Sequence, residues 1–210
     1  MLADTLSAVV ILTCLACFAA VNLHNILIVH KRRIRSRTYA EVEGPSGTAV
    51  KIAGLGTLIY FLEAISYALL TLMGYFSLAN MPTSLRSDLK PHVQVLGTIL
   101  TAVGSGTFIW SVIARGVYAT SWEMPENHKL ITSGPYRYIR HPSYLGYFLM
   151  FLGLFAIWPN LFTVFPLIAI PGYYKVTAKE EMLLSKRFRT EYDDYKKRTG
   201  RFTPKLRRPD

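Results

Sequence analysis

Lysine and arginine are missing from four long stretches of this 210-residue chain: residues 1–29, 52–79, 92–113 and 144–174. Acidic residues are scarce throughout, 13 against 24 basic ones. Cysteine is rarer still: Cys14 and Cys17 are the only two, both inside the first of those stretches. In an apolar helix that pair points to packing and excludes a disulfide framework. No glycine-rich dinucleotide fingerprint occurs, and Gly104-Ser105-Gly106 follows no strand, which excludes a Rossmann domain. No recognisable nucleic-acid module accompanies the basic residues, so the expected partners are membrane lipids and not nucleic acid. His128 and His141 have no cysteine or third histidine nearby and make a poor zinc site, so no metal is expected.

What the chain does have is apolar residues, 51% of the total, with a mean hydropathy of +0.25 beside a net charge of +11. The two properties coexist because charge and apolar residues are segregated. A hydrocarbon core ~30 Å thick needs about 20 apolar helical residues to cross it. The first three stretches without Lys or Arg match one crossing each. The fourth is interrupted by Trp158-Pro159-Asn160, and proline disfavours helix at and just before its own position. It reads as a hairpin of two short helices. Cytoplasmic loops carry the excess of Lys and Arg. With the N-terminus outside, five crossings leave only Arg86 and Lys90 outside.

The expectation is therefore an all-α integral membrane protein of about five transmembrane helices, the last two forming the hairpin. A cytoplasmic amphipathic helix over residues 177–198 follows, with Leu184, Phe188, Tyr192 and Tyr195 at helical spacing. The first apolar run lacks a basic segment before it and has one after it, the pattern of an uncleaved anchor. The membrane is the plasma membrane in a prokaryote and the endoplasmic reticulum in a eukaryote.

Residues 1–113 read as a three-helix scaffold and residues 114–210 as the region that carries chemistry. Gly97, Thr101 and Ser105 recur every four residues, letting membrane helices approach closely. Glu63 is a lone acid deep in an apolar span, a functional candidate by position or else a carboxyl hydrogen-bonded between helices.

Polar residues concentrate at 122–147 and 175–181, which the topology puts at the same membrane face. Gly134-Pro135 predicts a turn. His141 precedes a helix whose first residue is Pro142, and the unpaired N–H groups of such a start can receive an anion. A charged, aromatic pocket at a membrane surface suits one water-soluble reactant and one lipid-like reactant.

The run from His128 to Tyr136 (HKLITSGPY), then Arg140-His141-Pro142-Ser143-Tyr144-Leu145-Gly146, an apolar hairpin, Glu180-Glu181 and Glu191-Tyr192-Asp193-Asp194-Tyr195 resembles the isoprenylcysteine carboxyl methyltransferase family. The wider superfamily includes phospholipid methyltransferases and, more distantly, sterol reductases. The resemblance implies an S-adenosyl-L-methionine pocket formed by His128, Lys129, Leu130, Ile131, Tyr136, His141, Pro142, Ser143, Tyr144 and Glu180. It further implies Arg140, Glu180 and Lys175 at the reacting groups, and a prenylated or otherwise lipid-like acid as methyl acceptor. Tyrosine faces attract a sulfonium cation. A carboxylate acceptor needs no general base, so catalysis would rest on positioning and exclusion of water.

The sequence departs from the family at two places. Val176 stands where members that methylate prenylcysteine usually have Arg, with Lys175 and Lys179 beside it, and Ala119-Thr120-Ser121-Trp122 replaces an Asn-Phe-x-His stretch. A phospholipid amine or a small thiol is thus an alternative acceptor, and a non-catalytic membrane module is an alternative of another class. By residue type alone, Arg137 reads as snorkelling to headgroups, Glu181 as solvated, and Tyr192 and Tyr195 as packing.

Overall fold

In a computed structural model of the chain, residues 2–35, 39–40, 47–75, 90–118, 124–125 and 129–205 are described. Five helices account for most of them: α1 (Leu2–Arg35), α2 (Thr48–Leu72), α3 (Lys90–Arg115), α4 (Pro142–Ile157) and α5 (Phe165–Arg198). The first three are long and apolar enough to cross a membrane, and α4 is a shorter apolar helix. At 1.5 Å per residue, its 16 residues span about 24 Å. A short antiparallel pair, β1 (Tyr39–Ala40) with β2 (Met124–Pro125), ties the loop after α1 to the loop after α3. Both loops therefore lie at one end of the bundle.

In lipid there is little hydrophobic drive between helices, so association rests on close packing and hydrogen bonds. The contacts follow that rule. α4 packs chiefly on α3, and α5 chiefly on α2. Gly104 of α3 and Gly146 of α4 face each other so closely that a Cβ on either would lie 2.7 Å from the other's carbonyl oxygen. A Cβ on Gly97 would lie 2.6 Å from the Gly153 carbonyl oxygen, and one on Gly56 of α2 2.5 Å from the Ala169 Cβ of α5. The four-residue spacing of Gly97 and Thr101 is the α3 side of this seam. Tyr60, Tyr67, Phe108, Met150, Phe151, Leu154 and Ile157 fill the centre. Leu55, Leu58, Leu62, Ile99, Val103 and Ile113 point outward, an apolar exterior suited to acyl chains.

The expected hairpin joins α4 and α5 through a 3₁₀ turn, Phe162–Val164. Asn160 caps it: its Oδ1 accepts from the N–H groups of Phe162 (2.8 Å) and Thr163 (3.3 Å). The amphipathic segment over 177–198 continues α5 as far as a kink at Arg189, beyond which a second helical stretch carries Tyr192 and Tyr195. The helix runs on past the last apolar residues and bends at Arg189, whose φ of 47° and ψ of −121° are non-helical. That bend turns Tyr192 and Tyr195 inward, where both are buried.

Candidate cofactor site

The turn from Gly134 to Arg137 and the start of α4 are fixed from two directions. Tyr195 donates its hydroxyl to the Tyr136 carbonyl at 2.7 Å. After α5 the chain turns extended at Thr199 and runs back beside residues 138–141. The N–H groups of Arg140 and His141 donate to the carbonyls of Gly200 (2.9 Å) and Arg201 (3.1 Å), and Ile139 and Gly200 form a parallel bridge. The His141-Pro142 helix start thus leaves its backbone donors partly engaged by the chain's own tail.

Glu180 and Glu181, adjacent on α5, enter this corner from different sides of the helix. Glu181 is 6% exposed. Its carboxylate receives Arg140 Nε at 2.8 Å, Arg201 Nη2 at 2.8 Å and Nε at 3.2 Å, and lies 3.2 Å from His141 Nε2. Arg140 also donates to the Thr199 carbonyl. Burial would raise the Glu181 pKa, but these hydrogen bonds outweigh it and hold the carboxyl well below the usual carboxylate range. Solvation, the expectation from residue type alone, does not apply to Glu181.

Glu180 behaves differently. Tyr144 donates to its Oε1 at 2.6 Å, and His141 Nδ1 stands 3.5 Å from its Oε2. Burial dominates and pushes its pKa up, with His141 and Tyr144 opposing. His141 therefore stands between the two carboxylates and stacks beside Tyr144, ring centroids 5.8 Å apart. Burial also pushes the Tyr136 phenol up, with Arg115 the main opposing influence, so it stands as a neutral hydroxyl.

Beside Glu180 opens a cavity of about 120 Å³. It brings together Leu130, Ile131, Tyr136, Arg140, His141, Ser143, Tyr144 and Glu180 from the sequence-based set. Pro142 is buried beside it without lining it, Lys129 is exposed and does not line it, and His128 lies outside the described residues. Lys175 is exposed on α5 and does not line the cavity either. The cavity is also lined by Arg115, Tyr118, Leu183 and Leu184, and by Tyr192 and Tyr195, which residue type alone reads as packing. Among the described residues no group of three or more His, Cys, Asp or Glu is placed to hold a metal ion.

The lining fits S-adenosylmethionine by the chemistry of its donors. Two buried polar atoms at the cavity have no hydrogen-bond partner, Arg115 Nε and Tyr192 Oη. A buried polar atom without a partner is costly, so these two lining residues retain unused hydrogen-bonding capacity. Arg115 suits a carboxylate, Glu180 a cation, and Leu130, Ile131, Leu183 and Leu184 an aromatic base.

The phospholipid methyltransferase family matches residues 93–191. Those residues run from the start of α3 through the hairpin to Glu191 and contain most of the cavity lining. The match covers a little under half of the chain. The chain is also similar to curated proteins. The mouse protein-S-isoprenylcysteine O-methyltransferase is 38% identical over 78 residues, 36% of this chain and 28% of that one. A probable protein-S-isoprenylcysteine O-methyltransferase of Oryza sativa subsp. indica is 30% identical over 115 residues, 51% of this chain and 60% of that one. The nickel-cobalt-cadmium resistance protein NccN of Alcaligenes xylosoxydans xylosoxydans is 33% identical over 117 residues, 54% of this chain and 49% of that one. The chain spans 28 to 60% of the length of these relatives.

Proposed function

We propose that the protein is a membrane methyltransferase that uses S-adenosyl-L-methionine and O-methylates the carboxyl of an isoprenylated cysteine or a similar lipid-like acid. The observation that carries this reading is the cavity itself. It pairs a half-buried carboxylate, Glu180, with Arg115, whose Nε has no hydrogen-bond partner, among five tyrosines, Tyr118, Tyr136, Tyr144, Tyr192 and Tyr195, in a region with methyltransferase relatives. When bound, the cofactor supplies an electrophilic methyl group on a sulfonium. Glu180 and the faces of Tyr136 and Tyr144 offer the negative environment that a sulfonium requires. Glu181, clamped by Arg140, Arg201 and His141, fixes the start of α4 relative to α5. The acceptor's carboxylate is its own nucleophile at neutral pH, so no side chain needs to remove a proton. The protein's part is to hold two reactants in line and keep water out.

One observation favours a different acceptor. Val176, where prenylcysteine methyltransferases usually carry Arg, is 2% exposed and packed within the fold. Lys175 beside it faces away from the cavity lining. The test is transfer of labelled methyl from S-adenosylmethionine to farnesylcysteine in parallel with phosphatidylethanolamine, using full-length protein in lipid nanodiscs. Base-labile methyl ester on farnesylcysteine supports the proposed acceptor. Label on the phospholipid amine, with none on farnesylcysteine, replaces it with the amine, and label on neither in ligand-binding protein leaves only the fold-level kinship.

A further inference from the structure

The cavity has three basic side chains among its described lining residues, and two are already engaged. Arg140 is shared between Glu181 and the Thr199 carbonyl. His141 stands between Glu180 and Glu181. The third, Arg115, ends α3, and its Nε is buried with no hydrogen-bond partner. A guanidinium carries five N–H donors in a planar fork, and this one belongs to the wall of the cavity with its Nε unbonded.

We propose that Arg115 is the carboxylate anchor of this cavity, gripping either the amino-acid end of the cofactor or the carboxyl of the methyl acceptor. The inference rests on the methyltransferase reading and deepens it. The planar guanidinium fork matches a carboxylate, to which it can donate two parallel hydrogen bonds. A carboxylate also suits the charge of the site, because Glu180 lines the same cavity and a phosphate dianion would bring more negative charge against it. The placement accounts for Val176 and Lys175 as well. With the α5 position packed and its neighbouring lysine exposed, the anchoring cation comes from the end of α3. His141, at the start of α4, is occupied by the two glutamates.

The experiment titrates S-adenosylhomocysteine and 5′-methylthioadenosine, which lacks the amino-acid end, into full-length wild type, Arg115→Gln and Glu180→Gln. It also measures methyl transfer across a range of farnesylcysteine concentrations. If the anchor holds the cofactor, Arg115→Gln weakens S-adenosylhomocysteine ~10-fold or more and leaves methylthioadenosine within about twofold. If it holds the acceptor, S-adenosylhomocysteine binds as before and KM for farnesylcysteine rises ~10-fold. A general structural defect would weaken both nucleosides together. Arg115→Gln that moves neither quantity, while Glu180→Gln loses S-adenosylhomocysteine, overturns the anchor and spares the methyltransferase reading. Wild type that binds neither nucleoside overturns both. Should Arg115→Gln fail to fold in detergent, Arg115→Lys keeps the charge without the fork. A ~3-fold loss in one of the two quantities then supports the anchor, and no change in either overturns it.

Discussion

The two ends of the helix bundle bury polar groups in opposite ways. Where α1 and α3 begin, Gln94 Nε2 donates to Asp4 Oδ1 at 3.0 Å, and the hydroxyls of Ser7 and Thr98 meet at 2.7 Å. Each of these four side chains finds a partner on the facing helix, and the cluster fastens α1 to α3. At the other end, Glu181 is consumed in the same manner by Arg140, Arg201 and His141. One residue earlier, Glu180 lines a cavity together with the unpartnered Arg115 Nε and Tyr192 Oη. The comparison teaches how to tell glue from a site. Both are buried and polar, but the four far-end side chains pair with one another, whereas Arg115 Nε and Tyr192 Oη at the cavity have no partner.

Breaking the glue should cost stability, and breaking the site should cost binding. The largest effect is expected from Glu181→Gln, which leaves Arg140 buried without its counter-charge. Removing one partner of a buried pair costs about 3 kcal/mol, to be read from thermal unfolding in detergent at neutral pH. The pH dependence sharpens this. The folded-state pKa of Glu181 is depressed, so its contribution is present above the unfolded carboxylate range, about 4.3, and is lost as pH falls toward the folded value. Wild type should lose stability steeply below about pH 4, and Glu181→Gln should lose less across the same interval.

A smaller change in stability, but a loss of roughly 10- to 100-fold in S-adenosylhomocysteine affinity, is expected from Glu180→Gln. Calorimetry that finds the variant binding as wild type does would remove Glu180 from the cofactor's contacts. The smallest effect belongs to the far end. Gln94→Ala should cost about 1 kcal/mol of stability and leave ligand affinity unchanged. A loss of affinity there would show that the two ends are coupled and that the contrast between them is too sharply drawn.

Much of this was legible in the sequence, because the strongest signals are local. Stretches without Lys or Arg became helices, and the Gly97, Thr101 repeat became a helix seam, since small residues in lipid have that one main use. The run from Leu130 to Tyr144 lines the cavity because a turn and a helix start lie within it. What escaped depends on where distant segments return. Arg115 looks in sequence like any basic residue at a helix end. Glu181 looks like the solvated neighbour of Glu180, because nothing in its flanks announces that Arg201, 20 residues on, folds back to meet it. Lys175 was placed at the reacting groups as the nearest cation to Val176, but a step of about 100° along a helix turns it to the outside. His128 falls outside the described residues.

The central claim is that the space beside Glu180 is a cofactor pocket. Calorimetric titration of S-adenosylhomocysteine into wild-type protein in detergent, with Glu180→Ala alongside, tests it most directly. Micromolar binding by wild type that is lost in the variant is the predicted result. No binding by folded wild-type protein, shown by a cooperative thermal transition in the same detergent, would contradict it.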